Sequence, residues 1–226
     1  MEYLLDTANI EEIKRLNEYI PVSGITTNPS IMNKEGKVSF FDHMNEIREI
    51  IGQEKTLHIQ VVADDYEGIL KDVDYILENV DQDVFVKIPV SKNGLKAIKE
   101  LKDKGVNVTA TAIYTKVQAY LAIAAGADYI APYYNRMDNL NIDPVASIQA
   151  MAEMIEKTES DTKILAASFK NIGQVNRAFE IGAHTATVSP EILEKALEMP
   201  SIQKAMDDFT ADWEDVYGQN STIADL

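Results

Sequence analysis

The sequence predicts a single closed (β/α)8 barrel of parallel strands with an extra C-terminal helix. Three observations lead there. Short β-rich runs alternate with amphipathic helical patterns along the whole chain. About eight such strand–helix units can be counted, the pattern of a parallel sheet covered by helices. The length of 226 residues suits one barrel, compact against the typical ~250 residues. An open doubly wound sheet has the same alternation, but no G-x-G-x-x-G follows the first strand to favour it.

Each element has its own warrant. YLLDTA (3–8) reads as the first strand and leads into IEEIKRLNEY (10–19), with apolar residues at three- and four-residue spacing. SGITTNP (23–29) reads as a strand ended by Pro29, followed by the helical FFDHMNEIREII (40–51). LHIQVVA (57–63) precedes DDYEGILKDVDYILENV (64–80), and VFVKIPV (84–90) precedes KNGLKAIKELKDK (92–104). VNVTATAI (106–113) and KVQAYLAIAAG (116–126) form the fifth unit. YIAPYYNR (129–136) with PVASIQAMAEMIEKT (144–158) and KILAASF (163–169) with IGQVNRAFEIG (172–182) form the next two. HTATVSP (184–190) is the last strand, followed by ILEKALEM (192–199) and SIQKAMDDFTADWEDVY (201–217). Gly105, Gly126 and Gly182 stand where helices should stop. No linker, low-complexity stretch or charge block marks a boundary, so 1–226 is expected to be one domain with 201–226 as helix and tail.

Composition narrows the function. Lys and Arg number 21 against 37 Asp and Glu, a formal charge of −16. Such a surface argues against nucleic acid and anionic membranes as partners. With no Cys there is no disulfide framework, thiolate metal site or cysteine nucleophile. His43, His58 and His184 are far apart in sequence, so no metal centre is expected. The chain shows no cationic-then-apolar leader and no apolar run near the ~20 residues that span a bilayer, so a cytoplasmic protein is expected.

Catalytic groups of a barrel gather at the C-terminal strand ends, and alternate side chains of each strand face inward. In VFVKIPV, Val84, Val86, Ile88 and Val90 share one parity and should pack against helices, leaving Phe85, Lys87 and Pro89 inside. Lys is rarely buried without a partner or a purpose. Burial disfavours the ammonium form, and a neutral amine is the nucleophile of Schiff-base chemistry with carbonyl substrates. Lys87 is therefore the catalytic candidate, weighed against a salt-bridged lysine at a strand end.

Other strands carry polar residues near the same ends. Asp6 sits late in the first, and Thr26 and Asn28 share a parity in the second. Gln60 interrupts an apolar run, Thr109 and Thr111 alternate with small residues, and Tyr133 and Ser168 sit late in the sixth and seventh strands. Singly, each has an ordinary reading: an Asx turn, β-propensity or a hydrogen-bonded core tyrosine. Together they describe a polar pocket at one mouth, because unpaired polar groups inside a barrel are costly. Arginine is scarce (Arg15, Arg48, Arg136, Arg177), and Arg136 alone directly follows a strand. Arg136 with Ser168, aided by Lys170, suits a phosphate clamp.

LDTAN (5–9), GITTNPSIM (24–32), VKIPV (86–90), APYYNR (131–136) and AASFKN (166–171) resemble the small transaldolases and fructose-6-phosphate aldolases over essentially the whole chain. The resemblance implies a class I aldolase barrel that needs no metal or organic cofactor. It implies that Lys87 forms an imine with the C2 carbonyl of a ketose. Asp6 and Asn28 would contact hydroxyls around the scissile bond, Thr111 and Gln60 would position a water, and Arg136 and Ser168 would hold a phosphate. Transaldolases of this group usually carry Glu and Phe where Gln60 and Tyr133 stand, so the chain looks closer to the free aldolases, with Tyr133 as acid/base. Cleavage of fructose 6-phosphate to dihydroxyacetone and glyceraldehyde 3-phosphate is thus expected, with dihydroxyacetone transfer between sugar phosphates as the alternative and a non-catalytic sugar-phosphate-binding barrel as a third reading. The family also implies a homodecamer in which the helix 201–217 reaches a neighbour. His58 and Tyr134 are bulkier than the family pattern suggests, and strand parity turns Tyr134 outward.

Overall fold

The computed structural model describes residues 1–226. Strands β1 (Glu2–Asp6), β2 (Val22–Thr26), β3 (Thr56–Gln60) and β4 (Phe85–Pro89) are followed by β5 (Val108–Ile113), β6 (Tyr129–Pro132), β7 (Lys163–Ala166) and β8 (Thr185–Val188). Sequential strands pair in parallel and β8 pairs with β1, which closes the barrel. Between them run α1 (Ile10–Asn17), α2 (Pro29–Glu35), α3 (Phe40–Ile51), α4 (Tyr66–Asn79), α5 (Lys92–Asp103) and α6 (Lys116–Ala124). Helices α7 (Tyr134–Asn139), α8 (Pro144–Lys157) and α9 (Ile172–Glu180) complete the ring, and α10 (Pro190–Leu197) and α11 (Pro200–Tyr217) follow β8. The chain forms two compact units, Met1–Pro190, which holds the barrel, and Glu191–Leu226, which is helical. No helix is long and apolar enough to cross a membrane.

Local chemistry explains the boundaries. Asn9, Asp65, Ser91 and Asn171 each accept a backbone N–H of the turn they precede, satisfying donors that a helix start leaves open. Gly105, Gly126 and Gly182 have φ of 78°, 82° and 104°, the left-handed geometry that ends a helix at low cost to glycine. Outward residues of β4, Val86 and Ile88, are fully buried, as are Ala97 and Ile98 of α5. At the N-terminal rim, Arg48 Nε donates to Asp81 at 2.6 Å while its Nη1 donates to the Gly52 and Lys55 carbonyls.

Two helices lie where none is expected from apolar periodicity. α2 begins because the Asn28 side chain accepts the Ser30 and Ile31 amides and Pro29 suits the first helical position. The expected strand 129–136 stops at Pro132, and its second half winds into α7. Tyr134 is consequently a buried helix residue, its ring 5.9 Å from Phe169, and not an outward strand residue.

Below the mouth the barrel is filled. Leu4, Tyr129 and Leu165 form an apolar layer with Phe85 packed against it. His58 stacks on Phe85 at 4.8 Å and meets Tyr129 edge-on at 5.1 Å. Its Nδ1 lies 2.8 Å from Thr109 Oγ1 and its Nε2 3.0 Å from Thr56 Oγ1. Burial, aided by the positive charge of Lys87, holds the His58 pKa well below its usual value, so the ring is neutral. The bulk of His58 is accommodated as this floor.

Strands β2 and β3 approach closely at Gly24, where an added Cβ would lie 2.1 Å from Thr56 Oγ1 and 2.5 Å from its carbonyl oxygen. Gly24→Ala should therefore lower stability by about 1–3 kcal/mol through overpacking. Denaturant unfolding should show a lower midpoint at unchanged slope; an unchanged midpoint would refute the close approach.

Candidate active site

A cavity of about 330 Å³ opens at the C-terminal ends of the strands. Its wall is drawn from every strand by inward alternation: Asp6, Asn28, Gln60, Lys87 and Thr111 on one side, Ala131, Tyr133, Leu165, Ala167 and Thr187 on the other. The alternation fails at Ala112 and Ser168, which line the cavity out of parity. Both have left-handed backbone, φ 56° and 63°, and such strain in non-glycine residues concentrates at functional sites.

Lys87 is 5% exposed, and its Nζ donates to the Thr27 carbonyl at 2.7 Å. Burial pushes its pKa below that of an ordinary lysine, and Asp6 opposes the shift only in part. For Asp6 the order is the same: burial raises its pKa, while Lys87 and the Thr26 hydroxyl pull it down. Thr26 donates to Asp6 at 2.7 Å and lies 2.6 Å from the Thr187 hydroxyl. A neutral Lys87 amine can keep its bond to Thr27 and still present its lone pair to the cavity.

Tyr133 immediately precedes α7, and its hydroxyl lies 3.1 Å from Thr111 Oγ1. Burial raises its pKa, so it stays protonated at neutral pH and can supply a proton. Gln60 pairs in register with Lys87, and its buried Oε1 has no hydrogen-bond partner in the protein. A buried acceptor of this kind calls for a bound water or substrate hydroxyl. Asn28 lines the cavity and spends its oxygen on the α2 cap, which leaves its amide NH2 without a protein acceptor.

Arg136 reaches the cavity from α7, its guanidinium carbon 4.9 Å from the centre of the Tyr133 ring. Ser168 lines the wall with its hydroxyl unpaired.

Three expected site residues lie elsewhere. Thr26 and Thr109 are fully buried beneath the cavity, where they hold Asp6 and His58, because alternation gives a face of the strand but not a depth. Lys170 is exposed and does not line the wall; its backbone N–H is tied to Gln174 while the chain turns at Ser168. Sequence reasoning missed Tyr114 and Thr187, both on the wall. The parity of HTATVSP would have found Thr187; Tyr114 lies past the end of β5, where alternation no longer speaks.

Because burial favours the neutral amine, Lys87 should gain nucleophilicity at lower pH than other lysines. Competitive labelling with acetic anhydride across a pH series should place half-maximal reactivity of Lys87 below 10.5, the ordinary lysine value. A midpoint at or above that value would refute the desolvated amine.

Comparison with known proteins agrees with this geometry. The family model described as Transaldolase/Fructose-6-phosphate aldolase matches residues 3–223. A Streptococcus pneumoniae protein named "Probable fructose-6-phosphate aldolase" is 52% identical over 213 residues, covering 94% of this chain and 96% of that protein. With a closed eight-stranded barrel, a desolvated lysine and a match over nearly its full length, the chain belongs to the transaldolase/fructose-6-phosphate aldolase family.

Proposed function

We propose that the chain is a Schiff-base aldolase that reversibly cleaves fructose 6-phosphate to dihydroxyacetone and glyceraldehyde 3-phosphate. The observation that carries this reading is the buried, depressed-pKa Lys87 at the base of a cavity that also holds the Tyr133 hydroxyl. The name of the Streptococcus pneumoniae relative supports the same substrate.

In this mechanism the Lys87 amine attacks the C2 carbonyl of the ketose, and loss of water leaves a protonated imine. Tyr133, having protonated the departing carbinolamine hydroxyl through the bound water, takes up the C4 hydroxyl proton by the same route, and the C3–C4 bond breaks. The electron pair flows into the imine nitrogen, the aldehyde departs and an enamine remains on Lys87. Protonation at C3 and hydrolysis then release dihydroxyacetone. Asp6 and the free Asn28 amide contact the hydroxyls near the broken bond. The orphaned Gln60 oxygen and Thr111 hold a water through which Tyr133 exchanges protons. Arg136 and Ser168 take the phosphate. The chemistry asks for no metal or organic cofactor.

Free aldolase and transaldolase differ in the fate of the enamine. Tyr133, with its hydroxyl at the Thr111 side of the cavity, supplies a proton donor that favours release over transfer.

Borohydride reduction with dihydroxyacetone should trap an adduct on Lys87; absence of an adduct would leave only a binding barrel. Cleavage should proceed without erythrose 4-phosphate, whereas strict dependence on that acceptor would identify the protein as a transferase. Tyr133→Phe should reduce cleavage by on the order of 100-fold and more than it reduces transfer. Equal losses would remove Tyr133 from the mechanism.

We also propose a cytoplasmic homodecamer in which residues 201–226 contact a neighbouring subunit. Ile202, Met206, Phe209 and Val216 recur at helical spacing on α11 and are 41%, 56%, 72% and 70% exposed, an apolar stripe suited to a partner. Sedimentation velocity should show a decamer; a monomer would overturn this assignment.

A further inference from the structure

The arginine at the cavity mouth sits on a helix of only six residues, Tyr134–Asn139, and its side chain is largely exposed. A free arginine side chain there would lose much rotamer freedom on gripping an anion. Two rings hold it. The guanidinium lies over Tyr133, and Arg136 Nη1 donates to Tyr114 Oη at 3.2 Å. Tyr114 meets Tyr133 edge-on, centroids 5.6 Å apart and planes at 71°, so the rings form a corner around the cation.

The chain fixes Tyr114 by backbone means. Ala112, with φ 56°, turns the strand end, and the β5–β6 register shifts between Ala110 and Ile113. Gln118 then clasps the loop: its Oε1 accepts the Tyr114 and Thr115 amides, and its Nε2 donates to the Val90 and Ala112 carbonyls. Tyr114 Oη accepts from Arg136, and its own proton has no acceptor in the protein while its side chain lines the cavity. Arg136 N–H groups, the Tyr114 O–H and the Ser168 O–H therefore form a set of donors, complementary to a phosphate dianion that can only accept.

We propose that Tyr114 is a specificity-determining residue for the phosphorylated aldehyde: it anchors Arg136 over the mouth and adds a donor to the phosphate. This rests on the reading above in which Arg136 and Ser168 bind the phosphate. A positioning role of this kind discriminates between substrates with and without the phosphate, and leaves the imine chemistry at Lys87 untouched.

The test measures kcat/KM in the synthetic direction, with dihydroxyacetone as donor and either glyceraldehyde 3-phosphate or glyceraldehyde as acceptor. The readout is the ratio of the two values for each enzyme. Tyr114→Phe should lower this ratio about tenfold, the loss of one charge-assisted hydrogen bond and one donor. Arg136→Leu should lower it further, and adding Tyr114→Phe to Arg136→Leu should then cost clearly less than Tyr114→Phe costs alone, because the anchoring part of its effect is already lost and only its donor to the phosphate remains. Loss of folded enzyme scales both rates alike and leaves the ratio unmoved, so poor folding cannot imitate the result. An unchanged ratio in Tyr114→Phe, or full additivity in the double variant, overturns the proposal. If Arg136→Leu lowers the ratio and Tyr114→Phe does not, only the role of Tyr114 falls. If Arg136→Leu leaves the ratio unchanged, the phosphate reading falls and this proposal with it.

Discussion

An amine enclosed by eight strands loses most of its hydration, and Lys87 regains only part of it from the Thr27 carbonyl and the charge of Asp6. Much of the interior architecture follows from that imbalance. Thr27 must present its carbonyl inward; its own N–H and hydroxyl meet the His58 carbonyl, tying the lysine's partner to β3. Asp6 must stay close without fully neutralising the depression, and a chain of two threonine hydroxyls, Thr26 and Thr187, holds it in place. A fully satisfied lysine would be a stable, inert cation; a bare one would be too costly to bury. The observed partnership lies between these, which suits a nucleophile.

The negative surface does not contradict an anionic substrate. The cavity wall carries Lys87 and Arg136 against the single carboxylate of Asp6, while the excess of acidic residues belongs largely to exposed helix positions. A Debye length of about 8 Å at physiological salt confines the influence of those outer charges. An anion at the cavity mouth would therefore meet a local field that the net charge of −16 conceals.

How much could be read from the chain depends on which geometry a residue obeys. The barrel was legible because eight strands and their helices kept their periods, and Asp6, Gln60, Lys87, Thr111 and Tyr133 were legible because strand parity is a two-valued code. That code carries no depth, so Thr26 and Thr109 share the face of the site but lie under it. It also ends where φ changes sign. Ser168 reaches the cavity through a left-handed turn, and Tyr114 through the kink at Ala112, neither of which has a compositional mark such as glycine. The helices at Pro29 and Tyr134 were hidden for a related reason: six or seven residues are too few to show amphipathic periodicity, and while the Asn28 side chain caps the first, the second has no side-chain cap to announce it. The distinction between cleavage and transfer lies beyond fold and family alike, since in the proposed mechanism both reactions use the same lysine and only the chemistry around one tyrosine separates them.

The filled floor has a consequence for traffic. Leu165 belongs both to the cavity wall and to the apolar layer beneath, so nothing passes through the barrel toward Phe85 and His58. Reactants, products and water all share one doorway. In the proposed mechanism, with the phosphate end at the rim and the ketone end tethered to Lys87 at depth, the aldehyde half of the substrate would block the exit of the other half. Under that proposal the order of departure would follow from queueing: the rim-bound product leaves first, and only then can solvent reach the tethered fragment.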